Sequence, residues 1–572
     1  MYEFIAEDFT QHGGVQNGDK TAIFDGSTGM ERSFHDYYNL TTNLAGALKY
    51  DFNVDHLSTV ALFCPNHVDY LPIILAVSLC GAKVTPINPI YTRHELTTIL
   101  QQSNSTVLIA HTSTLDVALE SIKRSQTPVQ HVIVVTDDDD VKSTDSIYHR
   151  NTENTYISDG VPFGTVSLDL IRKQKHPQAF DKTISKVRKD PAQSPVIIPY
   201  SSGTTGLPKG VCLSHYNIVS NLLQMEQVEN QSIEPWHSIF TPLPFFHIYA
   251  LAFSLMYSAW QGLTLVTMSK KFNFTKFCEL IQEYKPERCH LVPPILLRIA
   301  NDPIVENYDL SSIETIVCAA APLSREVELA VETRVGGQCR VKQAWGMSEL
   351  SPIGTINADA AIKSGSIGPL IASTIGKILD SSGNSLPPNQ SGELVIQGPQ
   401  VMMGYLDNPA QTNDCLSAQG WLRTGDIAYY DNDGYFFITD RIKELIKVRG
   451  HQVAPAELEA VLLTYPDVVD AAVIGIHDDY AGELPRAYVV RRCAMINSTD
   501  SNSENSDEEV TETNAIKYNT VTESDIYEWV KERVAGYKRL DGGIIFVDAI
   551  PKSASGKILR RILRDQAKSE TE

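Results

Sequence analysis

The sequence predicts an α/β protein in two bodies, a large one built on mainly parallel sheets and a smaller α+β unit after it. Three observations lead there. The chain has 572 residues, too many for one hydrophobic core. From about residue 56 to 345, short apolar runs alternate with helical patterns, which is the rhythm of strands joined by crossover helices. That rhythm stops near Asp440, where a compact pattern of its own begins, so the expected domains are 1–440 and 441–572.

The elements follow in chain order. "STVALFC", "KVTPIN", "TVLIA" and "HVIVV" read as short buried strands, and "HVDYLPIILAVSLCG" as a helix closed by a glycine. The run from Phe245, "FFHIYALAFSLMYSAWQGLTLVTM", carries a histidine, a glutamine and several hydroxyls, so it is expected to be a buried helix and then a strand, with no transmembrane segment. "IAYYDNDGYFFITDR" reads as a hairpin turning at Asp431 to Gly434. In the small unit, "APAELEAVLLTYP" sets Leu458, Val461, Leu462 and Tyr465 on one helical face between Pro455 and Pro466. "DAAVIGIH" and "RAYVVRR" read as strands, and "SDIYEWVKERV" as a helix capped by Ser524. Two acidic stretches, 137–160 and 497–514, are expected to be solvated insertions; the aspartate run in the first lacks the ligand spacing of an EF-hand.

Composition narrows the function. The net charge of -21 argues against a nucleic-acid partner. The nine cysteines are scattered without zinc-ligand spacing, so buried reduced thiols are expected. The N-terminal residues have neither the basic start nor the apolar run of a signal peptide, and the last residues are not Ser-Lys-Leu, so the expected location is the cytoplasm, with a peroxisomal route by other means left open.

One stretch cannot pack a core. "YSSGTTGLPKGV" (200–211) sets Ser201, Ser202, Gly203, Thr204, Thr205 and Gly206 ahead of a single Lys209. It fails the Walker pattern of P-loop enzymes. Its consecutive N–H groups and hydroxyls can still form a nest for an anion, with Lys209 as a point charge. A flexible linker would not sit between "PVIIPY", a buried strand pattern, and "VCLSHYNIVSNLL", a strand running into a helix. A phosphate-bearing ligand is the better reading.

This stretch resembles the signature of the adenylate-forming superfamily, which includes acyl-CoA synthetases, 4-coumarate–CoA ligases, beetle luciferases and the adenylation domains of peptide synthetases. Further motifs follow in family order: "PFFHIYAL" (244–251), "QAWGMSELSP" (343–352), "GELVIQGPQVMMGYL" (392–406), "GWLRTGDIAYYDNDGYFFITDRIKELIKVRGHQVAPAELEAVL" (420–462) and "PKSASGKILRR" (551–561). The resemblance spans nearly the whole chain and is strongest to 4-coumarate–CoA ligases. It implies a large N-terminal domain of α/β sheet subdomains plus a β-barrel-like subdomain, and a small mobile C-terminal domain. It implies an ATP-dependent acid–CoA ligase that forms an acyl-adenylate and then a thioester. The substrates would be a small-molecule carboxylic acid, ATP and CoA, with Mg²⁺ as cofactor.

The resemblance also implies roles. Lys557 would bridge carboxylate and α-phosphate during adenylation, and His247 would lie beside the adenylate. Glu349 would hold Mg²⁺. ATP or AMP would be bound by Ser201–Gly206, Lys209, Gln343, Ala344, Trp345, Gly346, Ser348, Asp426 and Arg441, with Trp345 flanking adenine and Asp426 accepting the ribose hydroxyls. After a rotation about Lys443, Lys447 and Gln452 would serve the thioester step, with Lys270, Arg449 and Gly450 toward CoA. Tyr249, Phe253, Ala319, Ala320 and Ala344 would line the acid pocket. Phe253 stands where the family has a serine, and Ala319 and Ala344 replace glycines. These changes disfavour a phenolic hydroxyl and narrow the pocket, leaving medium-chain fatty or simple aryl acids open. Transfer to a carrier-protein thiol and luciferase-like use of the adenylate are the alternatives. A regulatory module without catalysis would lack Lys557, Glu349 or Lys209, and all three are present.

Overall fold

The structure is a computed structural model. It describes residues 1, 5, 19–123, 127–137, 148–150, 156–158, 164–173, 190–201, 208–229, 236–449, 451–478, 480–494, 517–518, 521–553 and 556–570. Two compact units emerge. The first comprises Met1–Gln390, Leu394–Thr424 and Tyr430–Phe437, the second Ser391–Glu393, Gly425–Tyr429 and Ile438–Glu572.

The first unit holds two large sheets. One has eight strands in the order Ile353–Ile356, Arg340–Gly346, Thr315–Cys318, Arg288–Leu291, Ser238–Thr241, Thr264–Thr267, Thr21–Asp25, Glu31–Ser33. All inner neighbours are parallel and both edge strands antiparallel. The other runs Tyr200–Ser201, Lys209–Ser214, Pro195–Ile197, Lys83–Ile87, Thr59–Phe63, Val107–His111, His131–Val135, Gly164–Ser167, with Gly404–Tyr405 also paired to Lys209–Ser214. Its strands Thr59–Phe63 and Val107–His111 are buried at every position, as a parallel strand covered on both faces must be. The helix Tyr70–Leu79 between them is apolar all round and buried, and the chain leaves it through Gly81 at φ +74°. The run from Phe245 folds as a π-helical stretch Tyr249–Met256, one α-turn Tyr257–Trp260 and the strand Thr264–Thr267. No helix among the described residues is long and apolar enough to cross a membrane.

A four-stranded sheet follows in the order Ile375–Leu379, Gly392–Gln397, Leu422–Tyr430, Phe436–Arg441. Its last two strands turn at Asp431–Gly434, where Gly434 takes φ +83° and its N–H donates to the Asp431 carbonyl at 3.1 Å.

The second unit is a layered α/β/α body. Its sheet runs His451–Val453, Ile446–Val448, Gly482–Arg491, Val468–Asp478, with Ile544–Phe546 parallel to Gly482–Arg491. Alternation along Val468–Asp478 sends Ala471 and Val473 to one face and Ala472 and Ile474 to the other. Helices Pro455–Leu463 and Glu523–Lys531 cover the first face with Leu458, Leu462, Ile526 and Val530, and helix Arg560–Ser569 covers the second with Leu563 and Ala567. Each fully buried leucine there contributes about 1.5–3 kcal/mol.

Three expectations change. The cap of helix Glu523–Lys531 is Thr522, not Ser524: Thr522 Oγ1 accepts from the Asp525 N–H at 3.3 Å while the Asp525 carboxylate accepts from the Thr522 N–H at 2.9 Å. The reciprocal capping box satisfies two terminal donors, and a cap at Ser524 would forgo both. The acidic stretch 137–160 is not wholly loop, since Tyr148–Arg150 pairs antiparallel with Tyr156–Ser158; its tyrosines and Ile157 favour strand despite the polar setting. The stretch 497–514 lies outside the described residues. Leaving Cys493 aside, Cys212 and Cys415 are half-buried and the other six cysteines, Cys64, Cys80, Cys278, Cys289, Cys318 and Cys339, are buried.

Candidate active site

In the first unit, the hairpin expected to hold an anion is closed by backbone pairing. Ser201 stands opposite Lys209 across antiparallel strands, while Ser202, Gly203, Thr204, Thr205 and Gly206 lie outside the described residues. The strand that carries Lys209 also pairs with Gly404–Tyr405. This brings Lys209 Nζ to 5.0 Å from the centre of the Tyr405 ring, within cation–π range. The Tyr405 hydroxyl donates to Glu349 Oε1 at 2.8 Å. Burial, and then the Glu349 charge, push the Tyr405 hydroxyl well above the usual phenol range, so it stays a donor. Glu349 is itself 6% exposed. A cation, a phenol and a carboxylate from three separate segments therefore meet at one place.

Glu349 sits on the single turn Ser348–Leu350, just after the strand Arg340–Gly346. Gly346 is required there, because a Cβ would lie 2.0 Å from the Pro352 carbonyl oxygen. Trp345 is buried, and its six-membered ring closes over Gly354, leaving 2.7 Å for any Cβ. Ala344 is buried and Ser348 half-buried. Gln343 spends its amide inward: Nε2 donates to the Leu323 carbonyl at 2.9 Å and to Glu328 Oε1 at 2.7 Å.

The residues expected around the acid lie on the π-helical stretch and on neighbouring strand ends. Tyr249 donates its hydroxyl to the Val317 carbonyl at 3.0 Å. Phe253 is fully buried and stacks on His290 at 4.5 Å. His290 Nδ1 meets Ser254 Oγ at 2.9 Å, and burial holds the imidazole well below its usual pKa, so it is neutral. Ala319 is buried, and Ala320 holds φ +75° directly after strand Thr315–Cys318, a conformation costly for a residue with a Cβ and concentrated at binding sites. His247 is half-buried, and its Nδ1 accepts from the Tyr249 N–H at 3.3 Å. The turn bearing His247 is held by Asn66, which accepts from the Phe245 N–H at 2.8 Å and donates to the Leu243 carbonyl at 2.8 Å. Lys270 is exposed, its N–H directed at Ser27 Oγ at 3.5 Å.

In the second unit, Arg441 Nε lies 2.9 Å from Asp426 Oδ1, and Asp426 is 2% exposed. The neighbouring Asp440 accepts the Arg441 N–H at 2.6 Å and the Ala456 N–H at 3.2 Å. Burial outweighs these donors and pushes its carboxyl up to about 6. Lys443 is exposed on the turn that follows. Beyond it, Lys447 and Gln452 are direct cross-strand partners on an exposed hairpin, so their side chains share a face. The Lys447 N–H is fixed to Glu483 Oε2 at 2.7 Å. Arg449 holds φ +49° at the tip and lies 5.3 Å over the Tyr480 ring; Gly450 is outside the described residues. Lys557 sits on a second tight turn, its N–H donating to Ser553 Oγ at 3.1 Å and its carbonyl accepting from Ser553 N–H at 2.8 Å. Arg560, three residues on, binds Glu459 at 2.6 Å.

Sequence reasoning missed Asn66, Tyr405, His290 and the Glu459–Arg560 pair. Tyr405 lies inside a quoted motif, "GELVIQGPQVMMGYL", and could have been found there. The others act through partners too remote along the chain for any local pattern to show.

Comparison with known proteins fits this geometry. The model of the AMP-binding enzyme family matches residues 10–406, and that of the AMP-binding enzyme C-terminal domain matches 457–557. A protein of Dictyostelium discoideum named probable 4-coumarate–CoA ligase 3 is 38% identical over 550 residues, 96% of this chain and 92% of its own length. The 4-coumarate:CoA ligase 1 of Petunia hybrida is 36% identical over 535 residues, 92% of this chain and 87% of its own. Among solved structures, the anthranilate CoA ligase AuaEII in complex with anthranoyl-AMP shares the fold with a TM-score of 0.81 at 23% identity, covering 100% of this chain and 97% of that one.

Proposed function

The chain belongs to the AMP-binding enzyme family and is an AMP-forming acid–CoA ligase, and we propose how its residues divide the work and which acids its pocket takes. A carboxylate oxygen attacks the α-phosphorus of ATP and pyrophosphate leaves. The CoA thiolate then attacks the acyl carbon and AMP leaves. Each step brings two anions together, so each needs cations and hydrogen-bond donors where charge gathers. The observation that carries the assignment is the Lys209–Tyr405–Glu349 cluster beside the hairpin loop.

In this reading the loop from Ser201 to Gly206 and Lys209 hold the phosphates, and Asp426, aligned by Arg441, accepts the ribose hydroxyls. Trp345, Ala344, Gly346 and Ser348 form the adenine and phosphate wall, with Gln343 as its internal brace. Glu349 offers a buried oxygen donor of the kind Mg²⁺ selects, and Tyr405 orients it. Mg²⁺, when bound, draws charge from the phosphates. His247 lies at the carboxylate, and Lys557 balances the developing charge on carboxylate and α-phosphate. Lys447 and Gln452 serve thioester formation, Lys270, Arg449 and Gly450 bind CoA, and Lys443 is the pivot between the two steps.

The acid is an apolar one without a distal hydroxyl. Phe253, stacked on a neutral His290, closes the far end of the pocket between Tyr249, Ala319, Ala320 and Ala344. A phenol reaching that wall would lose its water without gaining a partner. Acid- and CoA-dependent AMP release across aryl, short, medium and long acids tests this, together with Phe253→Ser. Cinnamate is expected to be used better than 4-hydroxycinnamate by the parent chain, with the ratio falling about fivefold in the variant. A preference for 4-hydroxycinnamate in the parent overturns the pocket assignment.

A further inference from the structure

Next to Asn66, three parallel neighbours of the nine-stranded sheet end side by side: Thr59–Phe63, Val107–His111 and His131–Val135. Their carboxyl ends carry His67, His111 and Asp137, in the order of the strands. Parallel strands bring such ends to one edge, the edge where α/β sheets bind ligands. We propose that this edge is a site for one zinc-class divalent ion, ligated by His67 Nε2, His111 Nε2 and the Asp137 carboxylate.

The geometry is that of ligands about to close. One donor atom from each residue lies within 4.8 Å of the other two. Asp137 Oδ1 is 3.4 Å from His111 Nε2 and 3.9 Å from His67 Nε2. A tetrahedral ion with bonds near 2.1 Å needs its ligand atoms about 3.4 Å apart, so small side-chain rotations complete the set.

A second observation points the same way. The His67 side chain is 1% exposed, and its Nε2, facing this group, has no hydrogen-bond partner among the described residues. Buried polar atoms are rarely left so. Behind each ring stands an acceptor that suits a metal-bound imidazole: Asp69 Oδ2 is 3.5 Å from His67 Nδ1, and Ser113 Oγ is 2.8 Å from His111 Nδ1. Such outer partners orient metal-binding histidines. Here each Nδ1 also takes a backbone N–H at 3.1 Å, from Asp69 and Ser113. Binding therefore moves one proton within each ring, from Nε2 to Nδ1, and the ring rotation turns each Nδ1–H off the backbone N–H and onto Asp69 Oδ2 or Ser113 Oγ. Two imidazoles and one carboxylate favour zinc, cobalt or nickel over magnesium or calcium. The ion would tie three strand ends together, independently of nucleotide.

The test uses the full chain, stripped with a chelator and titrated with Co²⁺ without nucleotide, then with Zn²⁺ by equilibrium dialysis. One equivalent is expected, with visible Co²⁺ absorption and a rise in thermal midpoint. His111→Gln with Asp137→Asn should weaken binding at least about 100-fold. Asp137→Asn alone, at a partly exposed position, should weaken it while acid-dependent AMP release stays unchanged, which separates ligand loss from misfolding. Absence of binding in the parent chain overturns the proposal. So does binding that survives the double substitution but disappears when thiols are blocked, since that ion would belong to cysteines.

Discussion

The two units hold their candidate cations in different ways. In the first, Lys209 is set on a sheet strand against Tyr405, whose hydroxyl is committed to a buried Glu349. In the second, Lys447 lies on an exposed hairpin strand with its backbone N–H held by Glu483, and Lys557 on a tight turn held at its backbone by Ser553. The contrast teaches a division of labour. A cation inside a fixed polar cluster suits a group bound throughout the cycle, because its geometry is set before the ligand arrives. Cations on an exposed hairpin and a tight turn suit brief service, one step each.

Substitutions can break that comparison. The largest effect is expected from Lys557→Ala, which should lower ATP–pyrophosphate exchange about 10²–10³-fold while ATP binding persists; exchange at the parent rate would remove Lys557 from the adenylation step. Next, Tyr405→Phe keeps the ring under Lys209 but deletes the donor to Glu349. The KM for Mg-ATP should rise about tenfold, and an unchanged KM would mean the cluster is not a nucleotide site. The smallest effect concerns the start of the second unit. The Asp440 carboxyl, held up to about 6 by burial, keeps its proton more tightly when folded than when unfolded. Its stabilising contribution is full below about pH 4 and is lost as pH rises through about 6. Denaturant unfolding should therefore show the parent losing about 2 kcal/mol across that window relative to Asp440→Asn. Parallel pH profiles would show that Asp440 is not buried against titration.

Much of this was readable from the sequence because it is local. The runs "STVALFC" and "TVLIA" are strands since nothing else suits four consecutive buried apolar residues between breakers, and the turn at Gly434 announces itself by composition. Cap choice was misjudged where two hydroxyls lie within three residues: Ser524 was expected as the cap, but Asp525 gives its reciprocal bond to Thr522. Candidate site residues inside motifs could be named in advance. What could not be read is long-range polar pairing. Arg288 and Lys342 share Glu229 and Asp359 inside the first unit, and Asn66 braces a turn almost 180 residues away. Such pairs leave no periodicity, because their spacing is set by topology and not by the local chain.

The account stands most directly on whether the hairpin lysine of the second unit serves only the later step. Rapid-quench single turnovers of Lys447→Ala, with acid and ATP first and CoA added afterwards, measure the two bonds separately. Acyl-adenylate should form within about twofold of the parent rate and accumulate, while thioester formation slows about 100-fold. Equal slowing of both steps, or no slowing of the second, would contradict the division of labour between the two units.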